Sequence, residues 1–139
     1  TIQGYSDDSA WARGQAWALY GFAMMYRETG VEDYLAQSEN VARMLLKRLP
    51  KDGVPCWDFD SPEVPDDDKD ASAAAIMASG FIELSTLTQD KSLAGKCLKM
   101  AQTQLRTLSS DEYLAAEGEC AGFILKHSTK NVIIFQNHI

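Results

Sequence analysis

The sequence predicts an all-α chain, and three observations carry that reading. Four stretches space their apolar residues by threes and fours, as helices with a buried face require. All four prolines fall together in one loop, from Pro50 to Pro65, and none interrupts those stretches. Apart from the final "NVIIF", no segment shows the alternation of a half-buried strand.

The first helix is expected from about Ser9 to Thr29, with Asp8 or Ser9 as its N-cap and Gly30 as a left-handed stop. The second runs from about Val31 to Leu49. Its Tyr34, Leu35, Val41, Met44, Leu45 and Leu49 share one face, and Pro50 bars continuation. The loop "PKDGVPCWDFDSPEVPDDDK" follows. A third helix starts near Asp70 and runs through "ASAAAIMASGFIELSTL", and a fourth spans about Ser92 to Leu108. Met24, Met25, Met44, Met77 and Met100 occupy helical core positions and read as packing.

These helices form a repeat. "YGFAMMYRETG" at Tyr20 to Gly30 aligns with "SGFIELSTLTQD" at Ser79 to Asp90, so that Gly21-Phe22 lies over Gly80-Phe81. The next helix opens at "EDYL" in one copy and "DKSL" in the other, an offset of about 58 or 59 residues. Each unit is a helix of small and aromatic residues, a short turn, an amphipathic helix and a long loop. An α/α toroid reads this way, with inner helices packed on all sides and outer helices burying one face. The other reading is a small complete helical bundle. Two hairpins cannot close a ring, so a partial barrel would offer a face at each end to a neighbour.

Composition narrows the function classes. The 139 residues are 45% hydrophobic and 24% charged, ordinary for one globular domain. A net charge of −7, from 13 basic and 20 acidic residues, argues against a nucleic-acid or anionic-membrane partner. No run of about 18 apolar residues suggests a spanning helix. The sequence starts at Thr1, which suggests processing or a fragment and leaves a signal peptide open. Cys56, Cys97 and Cys120 lack ligand spacing and read as reduced thiols.

The stretch "GYSDDSAWARGQAWALYGF" is unusual for a core helix. Asp7 and Asp8 suit a helix N-terminus, with a catalytic role as the alternative. Arg13 and Trp17 lie four apart on one face, flanked by Trp11, Gly14 and Gln15. A guanidinium beside an indole suits a carboxylate-bearing sugar ring. The alternative is a buried Arg13 paired with Asp7 or Asp8. The acidic run from Asp58 to Asp70 reads as a solvated loop ending in an Asp70 helix cap, with a calcium site as the other reading. Trp57 is a loop anchor or a subsite wall. His127 and His138 have no partner at metal-ligand spacing, no "G-x-S-x-G" nucleophile context occurs, and phosphate loops are absent.

"TIQGYSDDSAWARGQAWALYGF", "LPKDGVPCWDFDSPEVPDDDKDASAAAI" and "GFILKHST" resemble the unsaturated glucuronyl hydrolases of glycoside hydrolase family 88, from Thr1 to about Thr129. The "RGQAW" block favours this branch over the related rhamnogalacturonyl hydrolases. The resemblance implies an α/α toroid of six hairpins, of which about two plus a C-terminal segment are present. It implies action on the 4,5-unsaturated uronic acid that lyases leave at the non-reducing end of oligosaccharides. An aspartic acid protonates the vinyl ether, water adds at C5, and the hydrated product collapses to release the next sugar. No metal or organic cofactor is implied, and the complete enzyme is expected to be monomeric.

By position, Gln3, Arg13 and Trp17 match residues that contact the unsaturated sugar. Thr1 and Ser128 match further positions at the pocket and its rim. The family's two catalytic aspartates lie upstream of the segment that matches Thr1 to Phe22, so none is assigned here and the chain alone is expected to be inactive. After Thr129 the pattern departs: "KNVIIFQNHI", residues 130–139, reads as an atypical tail from a truncated or shifted reading frame. The resemblance and the unpaired cysteines suggest a cytoplasmic location, with the periplasm as the alternative. The competing function class is a non-catalytic helical repeat module that binds carbohydrate or a partner protein.

Overall fold

The computed structural model describes residues 3–127. Four helices appear in order: α1 (Ala12–Thr29), α2 (Glu32–Arg48), α3 (Ala71–Leu87) and α4 (Lys91–Leu108), followed by a single 3-10 turn at Cys120–Gly122. The repeat offset is 59 residues for both helices of the unit, from Ala12 to Ala71 and from Glu32 to Lys91. Among the described residues only isolated bridges occur outside the helices: Trp11 with Asp58, Cys56 with Lys69, and Leu114 with Leu125. "NVIIF" lies outside the described residues.

Each boundary has a local cause. α1 ends at Gly30, whose φ of 69° is the left-handed conformation and whose N–H reaches the Tyr26 carbonyl at 2.8 Å. α2 carries Glu32 and Asp33 in its first turn and Lys47 and Arg48 in its last, both favourable to the helix dipole. Leu49 turns extended before Pro50. Asp70 caps α3 by accepting from the Ala73 N–H, and Asp90 caps α4 by accepting from Ser92 and Leu93.

The start of α1 differs from expectation. The helix begins at Ala12, and its N-cap, Trp11, makes no side-chain cap. Neither Asp8 nor Ser9 is the cap, because residues before Ala12 are drawn onto the loop after α2. Asp58 is fully buried and accepts from the Tyr5 N–H at 2.9 Å, the Ser9 hydroxyl at 2.8 Å and the Asp60 N–H at 2.9 Å. The Ala10 N–H binds Asp60, and the first helical donor, Ala12 N–H, binds the Trp57 carbonyl at 2.9 Å. The long loop supplies the cap.

α1 and α3 are the inner pair. α1 buries Ala12, Ala16, Leu19 and Ala23 along one stripe. α3 buries eight residues, from Ala71 to Leu84, over about half of its circumference, a wider face than that of α1. α2 flanks α1 and α4 flanks α3, each burying one face. Arg13 meets Asp70 near one end of the inner pair and Arg27 meets Glu83 near the other, so α1 and α3 run parallel. Across the outer pair, Arg43 bonds Asp90 at 3.0 Å.

Small residues set the inner spacing. A Cβ on Gly80 would stand 2.8 Å from Leu19 Cγ and 3.1 Å from the Tyr20 nitrogen. Phe81, Leu19, Leu45, Met77 and Leu84 fill the core, each contributing about 1.5–3 kcal/mol by burial. Met77 is buried and Met44 and Met100 pack against the core, but Met25 is exposed and does not belong to it. Its position on α1 faces away from α3. Cys56 and Cys97 are buried and Cys120 is exposed, all three unbridged, and burial pushes the Cys97 thiol up to about 11.

The acidic loop is solvent-exposed at Asp60, Glu63, Asp66 and Asp68 and ends in the Asp70 cap, as expected, and several of its carboxylates also order it from within. Asp67 accepts from the Trp57 indole N–H at 2.8 Å, the Ser61 hydroxyl and the Asp68 N–H. Asp60 pairs with Arg48 at 2.6 Å. Backbone donors and three side chains therefore absorb charge that the sequence leaves looking unopposed. Trp57 is the anchor: it is 8% exposed and held by its indole nitrogen. No group of three or more His, Cys, Asp or Glu among the described residues could hold a metal ion. No helix there is long and apolar enough to cross a membrane.

Candidate functional site

The site is built where α1 and α3 begin. The 3–11 segment, the Pro55–Asp60 stretch and the segment ending at His127 all converge on this end of the inner pair. Trp57 and Phe59 hold it from the long loop, through Ala12 N–H to Trp57 O and Phe59 N–H to Ala10 O. His127 reaches it from the C-terminal side, where its carbonyl accepts from the Ala71 N–H at 3.1 Å. Its ring stands edge-to-face on Tyr113.

Arg13, the second residue of α1, donates from Nε at 3.1 Å and from Nη2 at 2.9 Å to the same oxygen, Asp70 Oδ2. Its side chain is 25% exposed, whereas Asp70 is fully buried. The ion pair expected with Asp7 or Asp8 is instead made across the inner helices, because Asp70 begins α3 beside the first turn of α1. Trp17 is one turn further along the Arg13 face, 54% exposed, with its ring edge-to-face on Tyr20 at 6.3 Å. Little of this indole is packed among the described residues. Trp11 lies over Gly14, where a Cβ would stand 2.9 Å from the indole Cε3. Glycine at that position lets the ring lie flat on the helix beside Arg13.

Gln3 is exposed in the clamped 3–11 segment. Thr1 and Ser128 lie outside the described residues. The structure thus places Arg13 and Trp17 on one face and Gln3 in a loop pinned to the same end by Asp58. Sequence reasoning missed Asp58 and the Arg13 partner. The repeat itself carries a signal for the latter: Asp70 precedes α3 as Trp11 precedes α1.

The chemistry this arrangement supports is anion and ring binding. A guanidinium held on one edge by a buried carboxylate can offer parallel N–H groups to a second carboxylate. A neighbouring exposed indole offers a flat apolar face. Acid catalysis is poorly served, since both Asp70 oxygens accept hydrogen bonds, from Ala73 N–H and from Arg13. Both Asp58 oxygens are likewise engaged as acceptors.

Comparison with known proteins places this geometry. No family model matches the chain. An unsaturated glucuronyl hydrolase of Formosa agariphila is 48% identical over 133 residues, covering 94% of this chain and 32% of that protein. A crystal structure of an unsaturated glucuronyl hydrolase specific for heparin superposes with a TM-score of 0.88 at 45% identity, covering 94% of this chain and 35% of that one. A mutant unsaturated glucuronyl hydrolase from Streptococcus agalactiae, complexed with dGlcA-GalNAc6S, superposes with a TM-score of 0.73 at 34% identity, over 84% of this chain and 31% of that one. The all-helical arrangement accordingly matches part of the α/α toroid of those enzymes. The chain spans about a third of the length of the relatives it matches, and over nearly all of its own length it matches unsaturated glucuronyl hydrolases in both sequence and fold.

Proposed function

We propose that this chain forms the carboxylate-binding wall of a pocket for a 4,5-unsaturated uronic acid. The pocket serves a glycoside hydrolase that protonates and hydrates the vinyl ether at the non-reducing end of lyase-generated oligosaccharides. The observation that carries the reading is Arg13, clamped at the mouth of an inner helix and one turn from an exposed Trp17. Arg13 receives the uronate carboxylate, Trp17 packs against the sugar ring, and Gln3 hydrogen-bonds from the adjoining loop. Thr1 and Ser128 join the proposed set on resemblance. The Streptococcus agalactiae relative in complex with an unsaturated uronic-acid disaccharide supports this substrate class.

The proton donor is not assigned to this chain. Asp58 and Asp70 spend their oxygens as acceptors toward fixed donors, so neither is arranged to deliver a proton to a vinyl ether. The proposal therefore predicts binding by the chain alone without consumption of the double bond.

Calorimetric titration with an unsaturated uronyl disaccharide and with its methyl ester tests the reading. Saturable binding of the acid, weakened both by masking the carboxylate and by Arg13→Ala, is expected. Equal affinity for acid and ester would show that no carboxylate receptor exists here. Ultraviolet absorbance of the conjugated double bond should stay constant during the same titration.

A further inference from the structure

Asp70 divides its two oxygens between two tasks. Oδ1 accepts from the Ala73 N–H at 3.0 Å and caps α3. That task needs no charge, and serine, threonine or asparagine performs it as well. Oδ2 takes both Nε and Nη2 of Arg13. The carboxylate is fully buried, and burying a charge is costly unless something specific requires it. Its backbone is fixed as well: the Asp70 N–H binds the Pro55 carbonyl at 2.9 Å, and its carbonyl accepts from Ala74. The anchor is therefore rigid and belongs to α3, while the arginine it grips belongs to α1. The exposed end of the pair is the guanidinium.

We infer that Asp70 is a positioning residue for the substrate carboxylate. It does not touch the sugar; it holds the Nε–Nη2 edge of Arg13, so that an incoming carboxylate meets a guanidinium whose plane is already fixed. This rests on the pocket reading above. Arginine is a long side chain, and fixing it before the ligand arrives removes an ordering cost from binding.

The inference opposes a simple charge argument, which makes it testable. Asp70→Asn removes a negative charge beside an anion receptor, so charge alone would tighten binding of a uronate. An asparagine has one acceptor oxygen and can serve the cap or the arginine, not both. Positioning therefore predicts weaker binding by about tenfold, despite the gained positive charge. The experiment titrates the wild-type chain and Asp70→Asn with an unsaturated uronyl disaccharide, reading affinity together with the arginine side-chain ¹⁵N signals. The expected wild-type result is a shift of the Arg13 Nη signals with Nε–Hε unmoved. Equal or tighter binding by Asp70→Asn, or a wild-type Nε–Hε signal that moves as the ion pair opens, overturns the positioning role alone. Absence of saturable binding by the wild type overturns the pocket reading and the positioning role together. If Asp70→Asn does not fold, the wild-type Nε–Hε signal decides.

Discussion

Ser9 donates its hydroxyl to Asp58 Oδ2 at 2.8 Å, and that bond ties the segment before α1 to the loop after α2. The same oxygen takes the Tyr5 N–H, and Oδ1 takes the Asp60 N–H, so one buried carboxylate orders two loops at the mouth of the inner helices.

Removing that carboxylate should therefore loosen the mouth before it unfolds the helices. Asp58→Ala leaves three donors without their acceptor, and each lost partner of a buried group costs about 1–3 kcal/mol where water cannot replace it. Ser9→Ala removes one donor and should cost about 1 kcal/mol. Thermal melts should rank Asp58→Ala well below Ser9→Ala. Limited proteolysis of Asp58→Ala should cut first within residues 3–11. First cleavage inside α4 would contradict this picture.

Gly21 and Gly80 occupy equivalent positions in the repeat but face different surroundings. At Gly80 a Cβ meets Leu19 and the Tyr20 backbone below 3.2 Å, and a backbone atom cannot step aside. At Gly21 nothing lies within 4 Å. Gly80→Ala should destabilise by about 1–3 kcal/mol through overpacking. Gly21→Ala should stabilise by up to about 1 kcal/mol, since alanine is the better helix former. Chemical denaturation of the two variants reads both signs, and equal shifts would refute the close α1–α3 approach.

Much of the fold was legible because its signals are local. Gly30 and Pro50 end helices through their own backbone limits, and Asp70 and Asp90 cap theirs within three residues. The inner and outer helices separate by composition, and the 59-residue offset holds for both. What escaped is long-range. Ser9 to Asp58 spans 49 positions and Arg13 to Asp70 spans 57, and no local pattern announces either bond. The N-terminal boundary of α1 failed for the same reason: its cap comes from Trp57, across the fold. Arg13 and Trp17 stood out as candidate binding residues because a cation and an indole four apart are unusual on an inner helix. The acidic loop was legible as solvated and capped by Asp70, but its internal bonds were not, because sequence shows charges without their donors.

Acid should unfold the molecule through the carboxylates that order its loops and caps. The Arg48 guanidinium and the Ala10 N–H hold Asp60 below the usual carboxylate range. Burial alone would raise Asp67, but the Ser61 hydroxyl, the Asp68 N–H and the Trp57 indole outweigh it and leave it low. The Leu93 N–H and Arg43 keep Asp90 low at the start of α4. Each group is more acidic folded than unfolded, so its stabilisation is complete above the unfolded value of about 4 and fades as pH falls below that. The melting temperature should hardly change through these groups between about pH 5 and pH 7, then drop steeply in more acid solution. Asp60→Asn and Asp67→Asn should lower the neutral melting temperature and flatten the acid limb. An acid limb as steep in the double variant as in the wild type would assign acid sensitivity elsewhere.

The two tryptophans Trp17 and Trp57 separate binding from folding. Trp57 is 8% exposed and its indole N–H donates to Asp67, whereas Trp17 is 54% exposed and touches Tyr20 by its edge. Trp57→Phe keeps most of the apolar volume but leaves Asp67 short of a donor, a loss of about 1–3 kcal/mol. Trp17→Ala removes a ring that is half in water and should move the melting temperature little, since surface substitutions stay within about 0.5 kcal/mol. Ligand binding should reverse the ranking. If the indole face of Trp17 carries the sugar ring, Trp17→Ala should weaken binding of an unsaturated uronyl disaccharide by roughly tenfold or more, within the range that stacking on an aromatic ring contributes. Trp57→Phe should leave that affinity nearly unchanged as long as the loop stays folded. Fluorescence gives a second readout: emission from Trp17, the more exposed indole, should shift to shorter wavelength when a sugar displaces its water, and Trp17→Ala should lose that shift. A titration that quenches or shifts emission equally in wild type and Trp17→Ala would take the sugar away from this face of α1.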